Sequence, residues 1–176
     1  MFDYAAYLKM PKCASTTLMH VFKNYKRVFF FDTYEDFKNN IELKDEKVLK
    51  FTTCRDPFTR AISSWRHCQR EKWIPEEETL IKFLDRDFKQ NNNISYYSMP
   101  QSYFIHNFMK DDINNVLKIE DLTNNIRKII PNCDLRLQHA NRDIGPEYKL
   151  NKEEIEKIKK VYEVDFVKLS YDANRI

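Results

Sequence analysis

The stretch PKCASTTL, Pro11–Leu18, decides the fold, because it joins a predicted strand to a predicted helix. The apolar run Ala5–Leu8 precedes it, and apolar residues then recur at the spacing of one helix face, at Leu18, Val21, Phe22 and Tyr25. A strand, a tight loop and a helix N-terminus present unpaired backbone N–H groups and the positive end of a helix dipole. Lys12 adds a full positive charge, and three hydroxyl residues follow it. The loop is therefore predicted to bind a phosphate or sulfate group.

The same loop has a plainer interpretation, a helix capped by serine or threonine beside a solvated lysine. It is not the Walker A loop of ATP-using enzymes, which needs the pattern G-x-x-x-x-G-K-[ST] so that glycines let the backbone wrap the phosphates. Here the loop contains no glycine, and the only glycine of the chain is Gly145. A glycine-rich nucleotide fingerprint is excluded, while both interpretations of the loop stay open.

A second strand-to-helix junction lies further along the chain. The β-rich run Val48–Thr53 leads into CRDPFTRAISSWR, Cys54–Arg66, in which Pro57 suits the first turn of a helix. Arg55 stands at the end of the strand, and Ser63 follows about two helical turns later. An arginine so placed binds a second phosphate through its forked guanidinium, and the serine donates to that phosphate. The alternative is an Arg-Asp pair at a helix start with a solvated serine.

The rest of the chain alternates predicted strands and helices, which indicates an α/β protein with a central parallel sheet flanked by helices. A length of 176 residues favours one domain, residues 1–176. Ligands in this fold class bind beyond the carboxyl ends of the strands, where both motifs lie. The other predicted elements are strands at Val28–Phe31 and Asn115–Ile119, helices from Asp32 or Thr33 to Asn40, over Thr79–Phe88, from Glu120 to before Pro131 and from Asn151 to Leu169, and a loop at Asn91–Asn93.

Composition and charge narrow the class of protein. The chain has 42% apolar and 14% aromatic residues, which is typical of a globular rather than a disordered protein. Its 30 basic residues against 27 acidic ones are too balanced to indicate a nucleic-acid-binding protein. No apolar run approaches the ~20 residues of a membrane span, so we expect no membrane anchor. The cysteines show neither C-x-x-C pairs nor zinc spacing, so we expect reduced thiols, no metal site and a cytoplasmic protein: Cys13, Cys54, Cys68 and Cys133.

Taken together, the two junctions resemble those of the sulfotransferases that use 3′-phosphoadenosine 5′-phosphosulfate (PAPS), closest to the carbohydrate branch that includes the Golgi membrane enzymes. PKCASTTL is similar to the family's 5′-phosphosulfate loop, and Cys54–Arg66 is similar to its 3′-phosphate motif. The resemblance implies a P-loop-like sulfotransferase fold. Three weaker likenesses follow in the family's order, to a mid-chain Pro-Gln segment, to a late loop near the nucleotide and to the terminal helix: Ser98–Tyr103, Leu137–Arg142 and Val161–Asp172.

The resemblance also implies a reaction, the transfer of the sulfuryl group from PAPS to an acceptor hydroxyl, with a carbohydrate as the expected acceptor. The product of the cofactor is adenosine 3′,5′-bisphosphate, and no metal is required. Lys12 is expected to neutralise the charge that develops on the bridging oxygen. The implied cofactor-binding residues are Lys12, Cys13, Ala14, Ser15, Thr16, Thr17, Leu18, Arg55, Ser63, Asn141 and Arg142.

The acceptor also needs a general base. Arg27–Asp36 loosely resembles a segment of the heparan 3-O-sulfotransferases that ends in Phe-Phe-Asp, but the family's glutamate falls on Arg27, which cannot serve. Asp32 is then the first candidate, expected to be partly buried at the end of the sheet with a raised pKa. Its alternative role is a helix N-cap. The other candidates for the base are Glu35, His106 and His139.

Two other functions stay open at this stage. One is a catalytically inactive module that binds PAPS or its bisphosphate product but lacks a base. The other is a small nucleotide or metabolite kinase with a degenerate phosphate loop. The kinase needs a Mg²⁺-holding acidic residue and a Walker lysine, and the latter is missing.

Overall fold

The structure is a computed structural model, and it describes residues 4–23, 28–32, 36, 39, 48–88, 92–108, 115–130 and 147–175. It confirms the predicted α/β class, because four parallel strands form one sheet accompanied by helices. The strands are β1 (Tyr4–Leu8), β2 (Val28–Phe31), β3 (Val48–Cys54) and β4 (Asn115–Lys118). The helices are α1 (Ser15–Phe22), α2 (Pro57–Arg70), α3 (Leu80–Leu84), α4 (Asn93–Ser98), α5 (Gln101–Phe108), α6 (Leu122–Ile129), α7 (Lys152–Val161) and α8 (Glu163–Lys168), with a 3-10 turn at Ile119–Asp121.

The sheet explains why its strands read as short apolar runs. β1 pairs with β2 on one side, where Leu8 lies opposite Phe31, and with β3 on the other, where Tyr7 lies opposite Phe51. Strands of a parallel sheet are covered on both faces, so they carry apolar side chains without alternation. The helices α1 and α6 supply apolar side chains to the same core.

The order of the strands in space is β2-β1-β3-β4. From β1 the chain moves to β2 on one side, then crosses to β3 on the other side of β1 and continues outward to β4. The connections therefore diverge between β1 and β3, which makes this pair the topological switch point of the sheet. Open α/β sheets bind ligands beyond the carboxyl ends of the strands at such a point. The predicted anion loop follows β1 and lies there.

The chain divides into two compact units. The first, Met1–Cys54 with Phe104–Arg142, contains the whole sheet, and its core is built from strand residues and from α1 and α6. The second, Arg55–Tyr103 with Asp143–Ile176, contains α2, α3, α4, α7 and α8 around a separate apolar core. The single domain expected from the length of the chain stays a prediction.

The helix predicted over Thr79–Phe88 is wrong in length, because α3 ends at Leu84 and Asp85 is its last, capping residue. Beyond that point Arg86 turns back to the buried carboxylate of Glu78, with Nη2 at 2.7 Å from Oε2 and Nε at 3.2 Å from Oε1. Eight residues along a continuous helix separate two positions by about 12 Å. The end of the helix before Arg86 lets this side chain turn back to form the forked ion pair with Glu78.

The last helix is also wrong as a single element, because the chain breaks between α7 and α8 at Tyr162, which has φ −109° and ψ 23°. The Tyr162 side chain is buried, and its hydroxyl donates to the carbonyl of Ser98 at 2.8 Å. The apolar stripe of the sequence continues through the break, so its periodicity could not locate this anchor point. The predicted capping box at the start of α7 is confirmed at Asn151 and Glu154.

Several smaller expectations are also decided by the structure. Pro57 occupies the first turn of α2, as predicted, and the side chain of Asp56 caps that helix. The predicted loop at Asn91–Asn93 is wrong at its end, because α4 begins at Asn93 with Asn92 as its cap. Most of the helix predicted after β2 lies outside the described residues. Among the described helices, none combines the length and apolar character needed to cross a membrane.

Candidate functional site

The loop between β1 and α1 has an unusual backbone for a segment without glycine. Lys12 and Ala14 have φ values of 62° and 64°, in the left-handed region that glycine normally fills. Ala14 is the N-cap of α1, and none of the side chains that the structure describes caps this helix. The alternative interpretation, in which a serine or threonine side chain caps this helix, therefore does not describe the structure. In α-helices generally, the N–H groups of the first turn have no acceptor one turn earlier, so a helix start without a side-chain cap is suited to an anion.

The loop residues divide into those that shape it and those that face outward. The N–H of Cys13 donates to the carbonyl of Met10 at 3.3 Å, and the N–H of Leu18 donates to that of Ala14 at 3.0 Å. The side chains of Cys13, Thr17 and Leu18 are buried. Thr16 is exposed, and Lys12 is half-buried.

Three hydroxyl groups hold the loop in place through hydrogen bonds to its backbone and to one another. Ser15 Oγ donates to the carbonyl of Met10 at 3.0 Å, and Thr53 Oγ1, from β3, donates to the carbonyl of Cys13 at 2.5 Å. Tyr7 of β1 is fully buried, with its hydroxyl at 2.8 Å from Thr53 Oγ1 and 3.2 Å from Ser15 Oγ. Each hydroxyl has one proton to give, and Thr53 gives its proton to Cys13. Tyr7 must therefore donate to Thr53, so that both strands of the switch point hold the loop.

Burial raises the pKa of Tyr7 well above its ordinary value. Its hydroxyl consequently stays protonated, and remains a donor to Thr53, throughout the neutral and mildly alkaline range. The sequence places Tyr7 in an apolar strand and carries no signal that it supports the loop.

We expect Tyr7→Phe to lower the free energy of unfolding by about 1–3 kcal/mol at neutral pH, because Thr53 loses its buried donor. The contribution of a tyrosine whose pKa is raised on folding is complete below about pH 10 and is lost as the pH rises further. The difference between wild type and variant should therefore shrink above that pH, by up to about tenfold in the unfolding equilibrium per pH unit. Urea unfolding at a series of pH values measures both effects.

Tyr4→Phe is the matched control, because Tyr4 lies in the same strand and is exposed. It should change neither the stability nor its alkaline dependence by a comparable amount. Equal effects of the two substitutions would show that the Tyr7 hydroxyl does not support the loop.

Asp32, the first candidate for the base, follows β2 at the carboxyl end of the sheet. Its side chain is 74% exposed and forms an ion pair with Lys9, whose Nζ lies 2.8 Å from Oδ1. The expectation that Asp32 is partly buried is therefore wrong. Lys9, the first residue after β1, is a second cation at this end of the sheet, and no pattern in the sequence predicted it.

The other candidates for the base and the late nucleotide loop are less fully described. His106 lies in the last turn of α5 and is exposed. The remaining residues of these predictions lie outside the described residues: Glu35, His139, Asn141 and Arg142. They stay predictions.

Arg55 is the first residue of the second unit, at the start of the segment that leads into α2. Its Nε donates to Thr59 Oγ1 at 3.1 Å, and Thr59 Oγ1 in turn donates to the carbonyl of Asp56, also at 3.1 Å. Thr59 thus directs the guanidinium along the first turn of α2. Ser63 lies one helical turn beyond Thr59 on the same helix and is 7% exposed.

The backbone of Arg55 is held by a second residue that sequence analysis passed over. The side-chain amide of Gln101 accepts from the N–H of Arg55 and donates to its carbonyl, both at 2.8 Å. The sequence marks Gln101 only through its weak likeness to a Pro-Gln segment.

Comparison with family models, with curated proteins and with solved structures finds no match to this chain. In the first unit, the loop around Lys12 is suited to an anion. In the second unit, considered by itself, Arg55 before the start of α2 is also suited to an anion. No cluster of three or more potential metal ligands occurs within the described ranges.

Proposed function

We propose that this protein is a PAPS-dependent sulfotransferase that transfers the sulfuryl group to an acceptor hydroxyl, with a carbohydrate as the expected acceptor. In this proposal the loop around Lys12 takes the 5′-phosphosulfate. Arg55 and Ser63 take the 3′-phosphate. The P-loop-like sulfotransferase fold and the cytoplasmic location are parts of the same proposal.

The observation that carries the proposal is the start of α1. A left-handed loop bearing Lys12 leads into a helix that no described side chain caps, at the carboxyl end of β1 beside the switch point. Backbone N–H groups, the helix dipole and an ammonium group all favour an anion of two or more charges there. The hydroxyl of Ser15 supports the loop from below, so the exposed side-chain donor of the three hydroxyl residues is that of Thr16.

Sulfuryl transfer resembles phosphoryl transfer, an in-line displacement in which the protein positions groups and stabilises charge. The S–O bond to the bridging oxygen of PAPS breaks, and a new S–O bond forms to the acceptor oxygen. The acceptor proton passes to a base, and the bisphosphate leaves with the bonding electron pair. Lys12 is proposed to stabilise the charge that develops on the bridging oxygen.

We expect adenosine 3′,5′-bisphosphate to bind far more tightly than AMP or ATP, and to do so without Mg²⁺. The proposal provides one group of residues for each phosphate, whereas AMP fills one of them only. Isothermal titration calorimetry with and without Mg²⁺ measures the three affinities. Equal affinities for AMP and the bisphosphate, or a requirement for Mg²⁺, would favour a kinase-like function instead.

We expect Arg55→Ala to weaken binding of the bisphosphate about 10- to 150-fold, since a hydrogen bond to a charged group contributes roughly 1.5–3 kcal/mol. Binding of AMP, which lacks the 3′-phosphate, should scarcely change. Ser63→Ala should act in the same direction more mildly. Calorimetry on the two variants with both nucleotides measures this selectivity.

Arg70→Ala is the matched control, because it removes an exposed guanidinium from the other end of α2. It should leave both affinities near wild type. A loss of AMP and bisphosphate affinity by the same factor in Arg55→Ala would assign Arg55 to the other phosphate or to the fold.

The second candidate is a catalytically inactive module that binds PAPS or its product. One observation favours it, the exposed position of Asp32 and its ion pair with Lys9, which differ from the enclosed base expected of the enzyme. Incubating the protein with radiolabelled PAPS and pooled glycan, peptide and phenolic acceptors distinguishes the two functions. Tight bisphosphate binding without labelled product in any pool would support the inactive module.

A further inference from the structure

Two buried side chains of the second unit form a series of hydrogen bonds that ends at the backbone of Arg55. Gln101 and Asp165 are each 0% exposed, and they lie 64 residues apart in sequence. A buried carboxylate and a buried amide need good partners to offset their lost hydration. The partners they have lead from Asp165 through Gln101 to Arg55.

The first link fixes the start of α5. Asp165 Oδ2 accepts from the N–H of Gln101 at 2.7 Å, and Oδ1 accepts from the N–H of Ser102 at 2.6 Å. The carboxylate of α8 thus occupies the N–H groups at the start of α5, where a negative charge is most favourable. These two bonds hold the backbone at the start of α5, and with it Gln101, in place.

The second link fixes Arg55. Gln101 Oε1 accepts from the N–H of Arg55, and Nε2 donates to its carbonyl, both at 2.8 Å. An N–H needs an acceptor and a carbonyl needs a donor, so only one orientation of the amide satisfies both. The two bonds restrain the peptide planes before and after the Arg55 Cα and therefore the direction in which its side chain leaves the backbone.

We propose that Gln101, held by Asp165, is a positioning residue that aims the Arg55 guanidinium at the 3′-phosphate. The inference rests on the proposed function for its ligand and on the contacts above for its geometry. Thr59 restrains the same side chain further out, at Nε. Together the two contacts hold Arg55 at both ends and lower the cost of ordering it when a phosphate binds.

Gln101→Met tests the inference, because methionine has a similar length and fills the buried space but makes neither hydrogen bond. We expect it to weaken bisphosphate binding at least tenfold while AMP binding stays within about twofold of wild type. The double variant Arg55→Ala/Gln101→Met should bind the bisphosphate no more weakly than Arg55→Ala alone. Additive losses in the double variant, or an equal loss for AMP, would overturn the positioning role.

A measurement without ligand tests the same role separately. In the wild type, the backbone N–H of Arg55 should exchange with solvent slowly, and its Nε–H should be ordered in ¹⁵N relaxation. In Gln101→Met, the backbone N–H of Arg55 should exchange at least tenfold faster, and its Nε–H should be clearly less ordered. The Trp65 indole N–H, which donates to the carbonyl of Glu78 at 2.8 Å, is the internal control and should stay unchanged. Fast exchange of Arg55 in the wild type would overturn the inference without any variant.

The nucleotide-binding measurements and the ligand-free measurements together distinguish a failure of the inference from a failure of the proposed function. A wild-type protein that does not prefer the bisphosphate over AMP refutes the function, and the ligand-free signals then decide the restraint on Arg55 alone. If Gln101→Met does not fold, Gln101→Asn replaces it, since the shorter amide stays polar but cannot span both backbone groups of Arg55. It should show the same loss of bisphosphate selectivity and the same change at Arg55.

Discussion

Under the proposed sulfotransferase function, we expect Lys12→Ala to lower the rate of sulfuryl transfer by about 10²-fold or more, while the affinity for PAPS changes much less. The reason is that the ammonium group acts on charge that develops as the bridging oxygen leaves, and this charge is larger in the transition state than in bound PAPS. Alanine carries a Cβ like lysine, so the left-handed backbone at this position has the same steric cost in both proteins. The variant therefore tests the ammonium group rather than the shape of the loop.

Steady-state kinetics with varied PAPS separate turnover from binding in this variant. Lys23→Ala is the control, because Lys23 is the exposed C-cap of the same helix, α1, and its loss should leave both parameters near wild type. Normal turnover with only a raised KM for PAPS would make Lys12 a binding residue without a part in the chemical step.

If Asp32 is the base of the proposed sulfotransferase, we expect Asp32→Asn to leave the fold and the binding of the bisphosphate near wild type but to lower sulfate transfer by about 10²- to 10⁴-fold. Asparagine keeps the shape of aspartate and caps a helix about as well, so a structural role survives the change. It cannot take the acceptor proton, so a role as base does not survive. Melting temperature, calorimetry and a transfer assay on one preparation measure the three properties.

Asp36→Asn provides a matched loss of an exposed carboxylate four residues further along. It should keep full activity. If Asp32→Asn itself retains most of its activity, the base lies elsewhere, and the remaining candidates are to be tested in the order Glu35, His106 and His139.

The junctions of this protein could be predicted because their signals are local. A short apolar run marks the strand of each junction. In the second junction, Pro57 marks the start of α2 a few residues after the end of β3. The same local signals predicted the α/β class, since alternating strands and helices have few other solutions. The sheet order that sets the switch point between β1 and β3 is an outcome of packing and leaves no mark within a single segment.

The polar contacts that organise the site could not be predicted, because they join residues far apart in sequence. Gln101 reaches Arg55 across 46 residues, and Tyr7 also reaches Thr53 across 46. Each of these residues, alone, fits an ordinary role in a strand or a helix. Asp32 shows the converse, since its place after an apolar strand suggested burial that its surroundings do not provide.

The left-handed backbone of the loop around Lys12, formed without glycine, has a consequence for the proposed anion site. A residue with a Cβ costs about 1–2 kcal/mol in the left-handed conformation, and this loop has two of them. Such a backbone persists only where its surroundings determine it, and here the hydroxyls of Tyr7 and Thr53 do so. Side chains of β1 and β3 therefore set the shape of the loop in the protein without a ligand, and the proposed anion would meet a preformed site. Substitutions in β1 and β3 that disturb the loop should consequently weaken binding of the proposed anion, even where the loss of stability is too small to impair folding.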